Sequence, residues 1–151
     1  MPEKHALRNT TLVGLNDVKR PPISGWQEFL KEGKQFLATA DKAFTIKREA
    51  FNTEILYNLV AMAIEKLIMA RLLKSGNLPY NHTMHDLVES MEEFLPGDLK
   101  DLGEELKALD AFQEICDLEN YTIVAPTETE VARMIDLGRR VAELVQTQTS
   151  Q

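Results

Sequence analysis

The chain has 151 residues, a length that suits one domain with a core of its own, without metals or disulfides to hold it. Twenty-four acidic residues against 17 basic ones leave a formal charge of −7, which disfavours broad, sequence-independent binding to a phosphate backbone. The single cysteine, Cys116, has no internal partner for a disulfide, and no secretory leader pattern opens the chain, so a reducing cytoplasm is the expected location.

Residues 1–25 mix polar residues with a short apolar cluster (Leu12, Val13, Leu15) and end in Pro21-Pro22-Ile23-Ser24-Gly25, which opposes a helix. They read as an N-terminal arm. A helical bundle domain is expected over 26–146, with 147–151 as a frayed end. The first helix should start near Trp26, since Trp26, Phe29, Leu30, Phe36, Leu37, Ala40 and Ala43 recur on one helical face.

A central helix is expected from about Lys47 to Lys74. Twelve of the fifteen residues from Leu59 to Leu73 are apolar, and a helix apolar nearly all round must be covered on most sides, by other helices and by a second subunit. Glu65, Lys66 and Arg71 break the run and keep it short of the roughly 20 apolar residues that span a bilayer, so no membrane insertion is expected. Glu54, Asn58 and Glu65 align on a narrow stripe with Ala61 between them, facing water, a partner or a polar cavity.

Gly76 should cap this helix in the left-handed conformation, and Pro79 should stop it. Thr83 opens a third helix whose apolar face is Met84, Leu87, Val88, Met91, Phe94 and Leu95, closed by Pro96-Gly97. A fourth is expected from Asp98, carrying Leu99, Leu102, Leu106, Leu109, Phe112 and Cys116, with room for a break near Leu109-Asp110. Residues Asn120 to Val124 read as an extended connector. The last helix opens with the capping box Thr127-x-x-Glu130 and shows Val131, Met134, Ile135, Gly138, Val141, Ala142 and Val145 on one face. The expected fold is an all-α, up-and-down antiparallel bundle of four to five helices.

Charges inside an apolar run must be paired, solvated or put to use, so Glu65 and Lys66 are site candidates; the simpler reading has Lys66 snorkelling to solvent and Glu65 pairing across to a neighbour. Tyr80, Asn120 and Tyr121 offer an aromatic face and an amide for stacking on a base, against the plainer role of packing covers with a wet hydroxyl. His82-x-x-His85 invites a metal, but Thr83 as N-cap places His82 outside the helix and His85 in its first turn, and no third ligand completes a set, so no metal or cofactor is expected. Asp86 suits the positive end of that helix's dipole. The pairs Lys19/Arg20, Lys47/Arg48 and Arg139/Arg140 read as solvated faces, and Met62, Met69, Met84 and Met91 as adaptable core fillers.

The run Tyr57-Asn58-Leu59-Val60-Ala61-Met62-Ala63-Ile64-Glu65-Lys66-Leu67-Ile68-Met69-Ala70-Arg71-Leu72-Leu73, followed by Gly76, Pro79 and His85-Asp86-Leu87, resembles the HEPN family (higher eukaryotes and prokaryotes nucleotide-binding). The resemblance implies a four- or five-helix bundle, commonly a homodimer, often serving as partner of a small nucleotidyltransferase. One kind of HEPN protein cuts RNA with an arginine, four to six intervening residues and a histidine; the other lacks the motif and serves as a binding or partner module. Here none of Arg8, Arg20, Arg48, Arg71, Arg133, Arg139 and Arg140 has a histidine five to seven positions downstream.

The expectation is therefore a non-catalytic partner module, with a nucleotide or a nucleotidyltransferase-type protein as the implied partner and no catalytic residues assigned. Ligand-binding candidates are Glu65, Lys66, Arg71, Tyr80, His85, Asn120 and Tyr121. The alternatives are a divergent HEPN ribonuclease of a toxin-antitoxin type system, using His85 with Arg71 or Lys66, and a purely structural homodimerisation module.

Overall fold

A computed structural model describes residues 20–46, 51–112 and 125–150. It shows α1 (Trp26–Ile46), α2 (Thr53–Lys74), α3 (Met84–Phe94), α4 (Gly103–Ala108) continued by a short 3-10 turn (Leu109–Phe112), and α5 (Glu128–Thr149). No strand occurs among the described residues, so the fold is the expected all-α bundle. No helix among them is long and apolar enough to cross a membrane.

The centre of the bundle is α2. Twelve of its residues are buried, and Ile64, Leu67, Ile68 and Leu72 expose nothing. Burying each such side chain contributes roughly 1.5–3 kcal/mol, which makes this helix the largest single source of core stability. It lies along α1 on one side and α5 on another, with α3 on a third. The cover that its apolarity demands is therefore supplied within the chain. The contact with α1 is close at Gly33, where an added Cβ would come within 2.8 Å of Leu67 Cγ and 3.1 Å of the Ala63 carbonyl oxygen.

Cross-links between elements give their directions. Lys66 on α2 reaches Glu32 on α1, and the amide of Ile23, just before α1, donates to the Leu73 carbonyl, so these two helices are antiparallel. Lys74 reaches the Thr149 carbonyl, and Gly138 sits near Val60 and Ile64, so α5 runs the same way as α2. Tyr57 donates to the Leu109 carbonyl, the Met84 amide donates to Asp110, and Arg71 bonds Asp98. These contacts place α3 parallel to α2 and α4 opposed to both, so the all-α bundle departs from the expected up-and-down antiparallel order at α3. Residues 75–83 thus travel back along the bundle before α3 begins, where a tight hairpin would have reversed the chain.

Local chemistry sets the helix ends. α2 begins at Thr53, later than the Lys47 expected, because Asn52 adopts an extended conformation and its side chain accepts the Ile55 amide. The stretch from Asp98 is not continuous helix. Successive tight turns (Asp98 amide to Leu95, Lys100 amide to Gly97, Leu102 amide to Leu99) run through Lys100 at φ 53°, and helix forms only from Gly103. The 3-10 turn then starts at Leu109, where the leucine spacing left room for a break. The capping box at Thr127 forms in full. α5 continues to Thr149, past the residues read as a frayed end, because Thr149 is buried and its hydroxyl donates to the Val145 carbonyl.

Within the arm, residues 20–25 lie against the end of α2, and residues 1–19 fall outside the described residues, as does the connector at 120–124. Gly76 has φ +80°, and a Cβ there would meet Arg20 Cβ at 2.5 Å and the Pro21 carbonyl oxygen at 2.6 Å. Both the left-handed backbone and the passing chain require glycine. Gly76→Ala should lower stability by about 2 kcal/mol or more, read as a drop in the urea midpoint; an unchanged midpoint would contradict the docking of residues 20–22 on this cap.

Candidate functional site

The charged candidates of α2 leave the helix in different directions. Glu65 Oε1 lies 2.8 Å from His82 Nδ1, on the α2–α3 connection. Lys66, next in sequence, points to α1, where its ammonium bonds Glu32 Oε2 at 2.6 Å and sits 5.1 Å from the Phe29 ring centroid and 5.8 Å from that of Phe36. Arg71 Nε donates to Asp98 Oδ2 at 2.8 Å, both side chains being largely covered. The three charges thus tie α2 to three separate neighbours: the returning connection, α1, and the turn before α4. Desolvation of a charge in an apolar run is offset here by a partner for each.

The stripe expected on α2 is only partly outward. Glu54 and Asn58 are exposed and Glu65 pairs with His82, but Ala61 between them is buried. Of the four methionines read as core fillers, Met69, Met84 and Met91 are buried while Met62 is 42% exposed.

His85 stands in the first turn of α3, where Thr83 is the N-cap and accepts the Asp86 amide. Its ring is exposed and lies 3.9 Å from Glu89, so it engages a different partner from Arg71. The residue that does most at this helix start is one the sequence did not single out. Asp110, from the 3-10 turn, accepts the Met84 and His85 amides at 3.0 and 2.9 Å, and so fills the positive end of α3 with a carboxylate of the chain itself. No local signal announces it, since donor and acceptor are 25 and 26 residues apart. Among the described residues no three His, Cys, Asp or Glu side chains converge as a metal-binding group.

Tyr80 is 70% exposed on the α2–α3 connection. Its hydroxyl donates to Glu93 Oε2 at 2.8 Å and its ring is tilted against Phe94 with centroids 6.3 Å apart. The hydrogen bond to Glu93 holds the phenol's ionisation above the ordinary tyrosine value, and partial covering and the Glu93 charge act in the same direction. One turn earlier on α3, a hydrogen bond and charge from Lys107 keep Glu89 below the usual carboxylate range, and Lys107 is raised in turn. Asn120 and Tyr121 lie outside the described residues.

The basic pair of α5 is divided: Arg139 bonds Asp41 of α1, while Arg140 bonds Glu105 of α4 and lies beside Asp136. A groove of about 450 Å³ opens next to Arg140, between Lys100–Leu102 and the α5 residues Glu143, Leu144, Thr147 and Gln148. None of the sequence candidates lines it. The described candidates therefore do not gather into one site; Glu65 and Tyr80 both take part in anchoring the connection between α2 and α3. Comparison with family models, with curated proteins and with solved structures gives no match.

Two outcomes follow from this geometry. Asp110→Ala should cost about 2 kcal/mol by leaving two amides of α3 without an acceptor, measurable by chemical denaturation, with Asp110→Asn recovering part of it. A spectrophotometric alkaline titration, taken as the difference from Tyr80→Phe, should show Tyr80 ionising above the ordinary value, and Glu93→Gln should bring it down. The stabilisation from this bond is present at neutral pH and is lost as pH rises through the elevated ionisation; equal titrations with and without Glu93 would show the bond is not made in solution.

Proposed function

We propose that this chain is a non-catalytic helical binding module, of the HEPN kind that lacks the arginine/histidine motif, working through a partner protein or a nucleotide. The observation that carries the reading is the engagement of its charges. Arg71 and Lys66, the cations that an RNA-cleaving role would pair with His85, are bonded to two different elements of the bundle, and Glu65 is bonded to a third. Cleavage of a phosphodiester needs a cation and a proton-transferring group held together at one phosphate. Arg71 is engaged by Asp98, and the exposed His85 ring lies beside Glu89 of its own helix.

The net charge of −7 favours a protein or a small nucleotide over a long nucleic acid as the bound species. A nucleotidyltransferase-type protein and a second copy of the chain are the protein partners that the family resemblance adds. The apolar run of α2 is no longer an argument for the second copy, since the chain covers it. Light scattering at micromolar concentration decides that component separately.

The test is a thermal-shift panel of nucleoside mono-, di- and triphosphates together with affinity capture from cell extract. The reading expects stabilisation by a nucleotide or saturable capture of one protein partner. Empty results in both, or cleavage of single-stranded RNA by the pure protein that is lost in His85→Ala, would overturn it.

A further inference from the structure

The α2–α3 connection combines tight anchoring with exposed apolar surface. Asn77 is buried, accepts from Arg20 and donates to the Ser75 hydroxyl and carbonyl; Tyr80 is held by Glu93 and Phe94; His82 is held by Glu65. Between and beside these anchors Leu78 is 60% exposed and Tyr80 is 70% exposed. A segment fixed at several points yet presenting its two large apolar side chains to water has the composition of an interaction surface, with an aromatic residue as its anchor.

The charge beside it specifies the chemistry. Glu93 accepts the Tyr80 hydroxyl but has no cationic partner among the described residues. An aromatic face and an uncompensated carboxylate converging on one place form a receptor for a guanidinium, which can stack on the ring and bond the carboxylate. The chain supplies a precedent one ring away: the Arg20 guanidinium lies 6.0 Å from the Phe94 centroid, steadied by Asn77. Arg20 is committed there, and the outward face of Tyr80 is left open.

We propose that Leu78, Tyr80 and Glu93 form a docking surface for an arginine-bearing segment of a partner protein, the guanidinium stacking on Tyr80 and pairing with Glu93 while a neighbouring apolar side chain rests on Leu78. Arginine suits the surface better than lysine because its planar head can stack and hydrogen-bond at once. A phosphate-bearing ligand meets repulsion from Glu93. The inference rests on the binding-module reading and adds the place and chemistry of the partner.

The probe is a fluorescein-labelled dodecapeptide of alternating arginine and leucine, with matched peptides carrying lysine or citrulline in place of arginine, titrated onto the full chain at physiological salt. Binding of the arginine peptide is expected to be about tenfold tighter than that of the citrulline peptide, and about tenfold weaker for Tyr80→Ala and for Glu93→Gln. Both residues are exposed, and unchanged circular dichroism confirms that the variants fold. Equal affinity of parent and variants, equal binding of the citrulline peptide, or displacement of the peptide from Tyr80 by a short single-stranded RNA would overturn the proposal. Capture of a partner from extract that persists undiminished in Tyr80→Ala and Glu93→Gln would overturn this surface while leaving the binding-module reading intact.

Discussion

An α-helix with apolar residues on nearly every side has to be enclosed, and in this chain α2 sets that requirement for all the others. Its twelve buried residues face α1, α3 and α5, and the fully enclosed Ile64, Leu67, Ile68 and Leu72 define the axis about which the rest is arranged. Burial of this kind is non-directional, so it gathers the helices without fixing how they slide along one another. The charges on α2 provide that second kind of information. Lys66 fixes α1 through Glu32, Arg71 fixes the turn before α4 through Asp98, and Glu65 holds the returning connection through His82. Each charge meets its partner at this register, so the residues that interrupt the apolar run also take part in its packing.

This division of labour shapes the functional reading. The three charges of α2 are each engaged with a partner inside the chain. What remains to interact is the surface: the groove beside Arg140, the outward stripe of α2 with Ile55 and Met62, and the anchored connection carrying Leu78 and Tyr80. Of these, the connection alone brings exposed apolar surface, an aromatic face and an uncompensated carboxylate to one place. Its stiffness is inherited from α2, since the cap at Gly76 and the Glu65–His82 pair hold its two ends.

Much of the architecture was legible in the residues. The apolar spacing of α1, α3 and α5, the caps at Thr83 and Thr127, and the stop at Gly76 are local features, and local chemistry produces them in the fold. What could not be read depends on contacts distant in sequence. The parallel course of α3 follows from residues 75–83 running back along the bundle, which no periodicity encodes. The turns through Lys100 interrupt a leucine spacing that suits a helix, since Leu99 and Leu102 are buried equally well from a turn. Asp110 as a cap of α3 needed the fold to bring it there. Of the candidate site, Glu65 and Lys66 were read as charges in need of partners, but their separation, with Arg71, onto three neighbours was invisible. Tyr80 was legible as an exposed aromatic, and Glu93, which gives it a chemical preference, was not.

The central claim is that α2 is enclosed by its own chain and held in register by its three charges. Hydrogen exchange followed residue by residue measures this most directly. The account predicts that amides from Val60 to Leu73 are the slowest in the molecule, exchange only with global unfolding, and keep their rates across a hundredfold range of protein concentration. Exchange in that segment that is faster than in α1 and α5, or that slows markedly as concentration rises, would contradict it by showing that α2 needs a cover the chain does not supply.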